Sequence, residues 1–232
     1  MRRYFCGFVG VIVFAILSIM LLNSPFNVIQ VFDEVSVDPT LVIDAGHGGF
    51  DGGAQAADGT SEQFINLQIA RDLYSLCGLF GENAVLTRSN EEALDYQAGR
   101  TIHENKTADL QARQRIAESV PNAVFLSIHL NQFSEAKYFG AQTFYSLNHE
   151  SSKSYAEFIQ KIMLIGLQNG NHRKAKTAPK TVFLMNQLSC PAVIVECGFL
   201  SNPMELESLK QTDYQKRLAL CILCGYLSAR IE

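Results

Sequence analysis

Lysine and arginine are scarce in this sequence, 19 among 232 residues against 23 aspartates and glutamates. They form no long basic stripe, which argues against a nucleic-acid binder, because phosphate contacts need clustered cations. Charged residues make up only 18% and hydrophobic ones 47%, which rules out a disordered chain. There is no internal repeat and no low-complexity tract, so the chain does not read as a solenoid or a string of modules. Cysteine offers no disulfide framework either. With Cys6 set apart in the first apolar run, Cys77, Cys190, Cys197, Cys221 and Cys224 are an odd, scattered set. Cys221 and Cys224 lie three apart in an apolar helical stretch and read as core packing rather than a redox or zinc pair.

Acidic residues are absent from the first 22 positions, where the only charges are Arg2 and Arg3. The run from Tyr4 to Leu22 is broken only by Gly7, Gly10 and Ser18. As a helix its nineteen residues would extend roughly 28 Å, close to the hydrocarbon thickness of a bilayer. Cations before such a span place the rest of the chain outside the cytoplasm. No A-x-A-like cleavage site follows, and Cys6 lies inside the run rather than at its end, so residues 1–22 read as an uncleaved transmembrane anchor. Residues 23–39, with Pro25 and Pro39, form a linker, and 40–232 a single domain.

In that domain strand-like and helix-like patterns alternate. Leu41-Val42-Ile43 is a short apolar run ending in the glycine-rich Gly46–Gly53 segment. Ile65, Ile69, Leu73, Leu76 and Phe80 repeat at helical spacing, with Ser61 as N-cap and Gly81 as stop. Strands are expected at Ala84–Thr87, Ala123–Leu130, Ala141–Tyr145 (an edge strand), Val182–Met185 and Ala192–Val195. Further helices are expected at Asp109–Ser119, Ser151–Leu167 and Thr212–Leu227. The stretch 89–108 is expected to be a surface loop rather than a lid. Apolar strands separated by helices imply an α/β fold, a mostly parallel twisted sheet with helices on both faces.

Ligands in such folds gather where strands end. His47 follows the first strand, Glu62 opens the next helix, His129 closes Val124-Phe125-Leu126-Ser127-Ile128, and Glu196 ends Ala192-Val193-Ile194-Val195. Two histidines and a carboxylate can hold a catalytic zinc and leave one position for water, with the second carboxylate as base. Each residue also has a plainer reading: a histidine satisfied in the core, a glutamate capping a helix. The glycines around His47 lack the Lys-Ser/Thr of a phosphate-binding loop, and no HExxH motif links any two ligands. His103, His149 and His172 lie in polar surroundings and read as surface residues. The basic stretch His172-Arg173-Lys174-Ala175-Lys176, with Lys180, suits an anionic polymer or partner, or simply a solvated loop.

Taken in order, Asp44-Ala45-Gly46-His47-Gly48-Gly49 with Asp51, Glu62 with Asn66, Leu86-Thr87-Arg88, Ser127-Ile128-His129-Leu130-Asn131, and Val195-Glu196-Cys197-Gly198-Phe199-Leu200-Ser201-Asn202 resemble the zinc-dependent N-acetylmuramoyl-L-alanine amidases of the amidase-3 type. The resemblance runs from Leu41 to the C-terminus, departing at Cys197, where an apolar residue is expected. It implies a six-stranded sheet, one Zn²⁺ held by His47, Glu62 and His129, Glu196 as the catalytic glutamate, and peptidoglycan as substrate. Asp44 would orient a ligand histidine or only close the turn. Asn66, Arg88, Arg113 and Asn131 would contact glycan or peptide, or serve equally as backbone support. Gly140-Ala141-Gln142-Thr143-Phe144-Tyr145-Ser146, Asn202-Pro203-Met204-Glu205, the hydrophobic N-terminus and the lack of wall-binding repeats resemble the germination-specific members of endospore formers. That likeness implies action outside the membrane, in the forespore intermembrane space, toward muramic-δ-lactam in the cortex, with a lipoprotein activator as partner. The alternatives are a vegetative wall hydrolase of the same family, another zinc amide hydrolase, or a wall-binding regulator held inactive until a partner binds.

A chain starting near Asn27 should be soluble, folded and able to load zinc, because the apolar run contributes no site residue. Insolubility together with absence of metal would place the domain boundary elsewhere.

Overall fold

In the computed structural model, which describes residues 38–231, the centre of the fold is a set of strands too apolar to face water on either side. Strand β1 (Thr40–Ala45) is buried from Leu41 onward. It pairs in parallel with β2 (Ala84–Leu86) and β3 (Ala123–Asn131), and β3 pairs in parallel with β6 (Ala192–Phe199). Strand β4 (Gln142–Tyr145) runs antiparallel to β6, and β5 (Lys176–Thr177) closes the edge, so the order is β2-β1-β3-β6-β4-β5. The sheet is therefore six-stranded and mixed. Helices α1 (Glu62–Phe80), α2 (Ile102–Ser119), α3 (Ser151–Leu167), α4 (Phe183–Gln187), α5 (Pro203–Leu209) and α6 (Thr212–Ala229) complete the domain.

Side chains alternate across a strand with period two, and that period divides the sheet into two faces. Leu41, Ile43, Val124, Leu126, Ile128, Val193 and Val195 pack with Ile69, Leu73, Ile159, Met163, Leu218 and Ile222 of α1, α3 and α6. On the other face Val42, Phe125, Ala192 and Ile194 pack with Ala117, Leu184, Met185 and Leu188, under α2 and α4. Toward the C-terminal ends of the strands this second face turns polar. By the same alternation it presents Asp44, Ser127, His129 and Glu196, so the site continues the smaller core layer.

The structure departs from the sequence reading at several elements. Val182–Met185 is not a strand: from Phe183 it forms the short helix α4, whose Leu184 and Met185 are buried against the sheet. A four-residue apolar run has no period long enough to tell the two apart. Helix α2 begins at Ile102, not Asp109, so the expected 89–108 loop holds as far as residue 101 and its last seven residues are helical. Thr101 and Glu104 form a reciprocal capping box there. β4 is not the edge strand, because the two-residue β5 lies outside it. Helix α5 was hidden by its brevity, although Asn202 caps it by accepting from the Met204 and Glu205 amides at 3.0 and 3.1 Å. Ser61 does stand at the N-cap of α1, but its hydroxyl donates to the Gly52 carbonyl at 2.6 Å rather than capping. Gly81 ends α1 with φ of 75°, a left-handed turn that glycine adopts without strain.

The expected anchor at 1–22 and most of the linker lie outside the described residues. Among the described residues no helix is long and apolar enough to cross a membrane. The five cysteines from Cys77 onward are all free; Cys221 is buried and Cys224 partly so.

Helices α3 and α6 approach so closely that Gly225 has no room for a side chain. A Cβ there would sit 2.4 Å from the Ile159 Cα and 2.8 Å from its amide nitrogen, both backbone atoms that cannot step aside. Alanine gains about 1 kcal/mol of helix propensity over glycine, whereas overpacking costs about 1–3 kcal/mol or more. Gly225→Ala should therefore lower the thermal midpoint; an unchanged or higher midpoint would show that the helices separate freely.

Candidate metal centre and active site

Three elements bring the candidate ligands together. His47 sits in the turn after β1, Glu62 is the first residue of α1, and His129 lies near the end of β3. One ligand atom from each falls within 4.8 Å of the others. The His47 Nε2 is 3.3 Å from Glu62 Oε2, and the His129 Nδ1 is 3.0 Å from Glu62 Oε1. The two imidazoles meet edge to face, with centroids 4.9 Å apart. Glu62 is buried and does not wander, because its carboxylate also accepts from the amides of Ala54 (2.9 Å) and Leu130 (3.0 Å) and from Asn66 Nδ2 (3.1 Å). Its place in the first turn of a helix favours the charged form. Burial works against that charge, but the histidines outweigh it and hold the carboxyl far below the usual range.

His47 occupies a backbone conformation that few side chains adopt, with φ of 63°. Its carbonyl is held at 2.6 Å by an Arg113 NH group, and its Nδ1 faces Asp51 Oδ2 at 3.1 Å. With the Nδ1 proton pointing at Asp51, Nε2 is left for a metal. Burial alone would lower the His47 pKa, but Asp51 and Glu62 hold it up at about 9. A bound cation would replace that proton, so loading should release protons.

Glu196 lies beside this cluster, the register partner of His129 across the β3–β6 pair. Its Oε2 is buried and has no hydrogen-bond partner among the described residues. Burial pushes its pKa up to about 7, the range suited to taking up and returning a proton at neutral pH. Two imidazoles, one carboxylate and an orphaned second carboxyl oxygen form a donor set suited to zinc with a water beside it.

The remaining expected residues are placed less directly. Asp44 is buried and touches neither histidine by hydrogen bond. It accepts from Thr87 Oγ1 (2.7 Å), Ser127 Oγ (2.6 Å) and Arg113 (2.5 Å). Burial would raise its pKa, but Arg113 and the two hydroxyls lower it. Arg113 donates in addition to Asp109 and to the Ala45 carbonyl. Arg88 spends its donors on the carbonyls of Ala45, Gly46, Gln63 and Asn90. Both guanidiniums are buried and bonded to the chain's own carbonyls and carboxylates. Asn66, also buried, bonds Glu62 and the Gly46 carbonyl. Asn131, half-buried at the end of β3, accepts through its carbonyl from the Leu200 amide. The sequence pattern assigns Asp51 no separate role, though its place four residues after His47, beyond a glycine turn, is the signal that points to it. Gly46 is required for room: a Cβ there would lie 2.3 Å from the His129 ring.

Residues 41–226 match the amidase-3 family, described as N-acetylmuramoyl-L-alanine amidase. The chain belongs to this family. It is 31% identical over 187 residues to the germination-specific N-acetylmuramoyl-L-alanine amidase of Bacillus subtilis, covering 81% of this chain and 78% of that one. It is 32% identical over 211 residues to the LytC amidase of the same organism, covering 89% of this chain but 39% of LytC. Among solved structures, the CwlD amidase of Clostridioides difficile, determined in complex with the GerS lipoprotein, superposes with a TM-score of 0.80 at 35% identity. That match covers 84% of this chain and 99% of the solved CwlD chain. This amidase is thus an enzyme of peptidoglycan hydrolysis.

Two substitutions test the geometry of the centre. Gly46→Ala should displace the His129 ring and weaken metal binding while leaving the fold's melting cooperative. Asp51→Asn, which no longer fixes the His47 tautomer, should weaken zinc affinity about 10–100-fold, measured by competition with a chelator. Wild-type affinity in both variants would refute this arrangement.

Proposed function

We propose that this amidase hydrolyses the amide between N-acetylmuramic acid and L-alanine with one zinc ion held by His47, Glu62 and His129, and with Glu196 as general base and acid. The observation that carries this reading is the buried Glu196 oxygen without a partner beside the three-residue cluster. Zinc, when bound, would polarise the scissile carbonyl and acidify a water molecule. Glu196 takes the proton as that water's oxygen adds to the carbonyl carbon. It then passes the proton to the alanine nitrogen as the C–N bond breaks, leaving a lactyl carboxylic acid on the sugar and a free amine on the peptide, between which the remaining proton equilibrates to carboxylate and ammonium. Asp51, Arg113 and the amides around Glu62 hold the groups in place throughout.

In the cell we assign the enzyme to spore cortex synthesis, where removal of the peptide prepares muramic acid for δ-lactam formation. The likeness to the germination-specific amidase supports this. So does the likeness to CwlD, which was solved with a lipoprotein; a lipoprotein partner at the outer face of the membrane fits the N-terminal apolar run. Expression confined to sporulation is the expected pattern; expression throughout vegetative growth would instead assign it to wall turnover.

The two glutamates should separate by phenotype. Glu62→Ala should lower zinc content and turnover together. Glu196→Gln should retain zinc but lose a factor of about 10²–10⁴ in rate, read by metal analysis and by mass spectrometry of digested muropeptides. A zinc-loaded, fully active Glu196→Gln protein would overturn the mechanism.

A further inference from the structure

The group that returns a proton to the leaving amine must lie on the side where the peptide departs. If Glu196 does this, as proposed above, the peptide arm leaves toward whatever flanks Glu196. The neighbour on that side is Gln142, its direct partner across the β4–β6 pair. Directly opposed residues of antiparallel strands point to the same face, with Cβ atoms about 4.5–5.5 Å apart. The Gln142 side chain is buried and fixed at both ends: its Nε2 donates to the Lys174 carbonyl at 2.8 Å, and its Oε1 accepts from Arg173 at 3.0 Å.

Arg173 is in turn held by three contacts. Its Nε donates to the Phe139 carbonyl at 2.8 Å, and its guanidinium lies 4.6 Å from the centroid of the buried Phe199 ring. The third nitrogen of the group has no acceptor among the described residues, and the side chain is only partly buried. The nearby Glu205 feels its charge, but the Glu205 oxygens are occupied by the amides of Gly140 (3.0 Å) and Phe199 (2.8 Å). A guanidinium oriented by stacking and by two hydrogen bonds, with donors to spare, is preorganised for a carboxylate. The opposite flank of the site is a different environment. A cavity of about 260 Å³ there is lined by His47, Phe50, Lys106, Leu110 and Leu184, and not by Glu196.

We propose that Arg173, positioned by Gln142 and Phe199, is the subsite for a carboxylate of the stem peptide, on the leaving-amine side of the reaction. The residue following L-alanine in peptidoglycan is a γ-linked glutamate. Its α-carboxyl is free in some walls and amidated in others, and it is the first anion along the peptide from the scissile bond. The enzyme therefore reads whether that carboxyl is free.

The test uses the full chain loaded with zinc and two matched sets of uncross-linked glycan strands, one with the free α-carboxylate and one with the carboxamide. The wild type should cleave the free acid with kcat/KM about tenfold higher, chiefly through KM, as expected for a half-exposed charge-assisted bond. In Arg173→Gln the preference ratio should fall to within about twofold of one. Arg173→Lys, which keeps the charge but not the fork, should retain an intermediate preference. A role confined to supporting Glu205 would lower both rates together and leave the ratio intact, which would overturn the proposal. Equal rates for the two substrates in the wild type would overturn it without any variant having to fold. Failure to cleave either substrate, with the lipoprotein partner proposed above also present, would overturn the amidase reading on which it rests.

Discussion

The guanidinium of Arg113 is the point at which helix α2, the end of β1 and the His47 turn are tied together. It bonds Asp109 on its own helix, Asp44 and the Ala45 carbonyl at the strand end, and the carbonyl of His47 beyond it. Two carboxylates and one guanidinium buried together cost considerable desolvation, and such a group is weak evidence for stability in itself. Its value here is geometric. His47 must hold a left-handed backbone to aim Nε2 at the cluster, and that conformation persists only when its surroundings over-determine it. Arg113 grips the carbonyl on one side of the residue while Asp51 grips the ring on the other, so backbone and side chain are fixed by separate elements.

The sheet supplies the rest of the site through its alternation. One set of positions along β1, β3 and β6 carries Val42, Phe125 and Ile194 and then, at the C-terminal ends, Asp44, Ser127, His129 and Glu196. Continuing a packed layer into a polar one without a break places these groups on the buried central strands of the sheet. The irregular register between His129 and Asn131 falls where regular pairing is no longer needed.

Much of this was legible beforehand because the signals are strong and local. The helical spacing from Ile65 to Phe80, the apolar run before His129 and the glycine turn around His47 place those residues at strand ends and helix starts without reference to a structure. The elements that were misread are short. Phe183–Gln187 carries too few residues to show a period, and Lys176–Thr177 is held as a strand by its neighbour alone. The roles of Arg88 and Arg113 were open for a different reason. A sequence shows that an arginine is present but not that its donors are spent on the chain's own carbonyls and carboxylates, several of them dozens of residues away. Asp51 was within reach, since its spacing from His47 is local, but only the distance between their side chains gives it a role.

The way Glu62 is anchored has a consequence for how the centre lives in the cell. Two backbone amides and Asn66 position that carboxylate, and all three belong to the fold rather than to any cation. The cradle is therefore a product of folding, unlike a zinc finger, whose ligands converge only when the ion draws them together. On the zinc reading proposed above, the ion could exchange without the domain unfolding. On that reading folding and metal loading are separate events, and an ion lost from the cradle could be replaced in the folded domain.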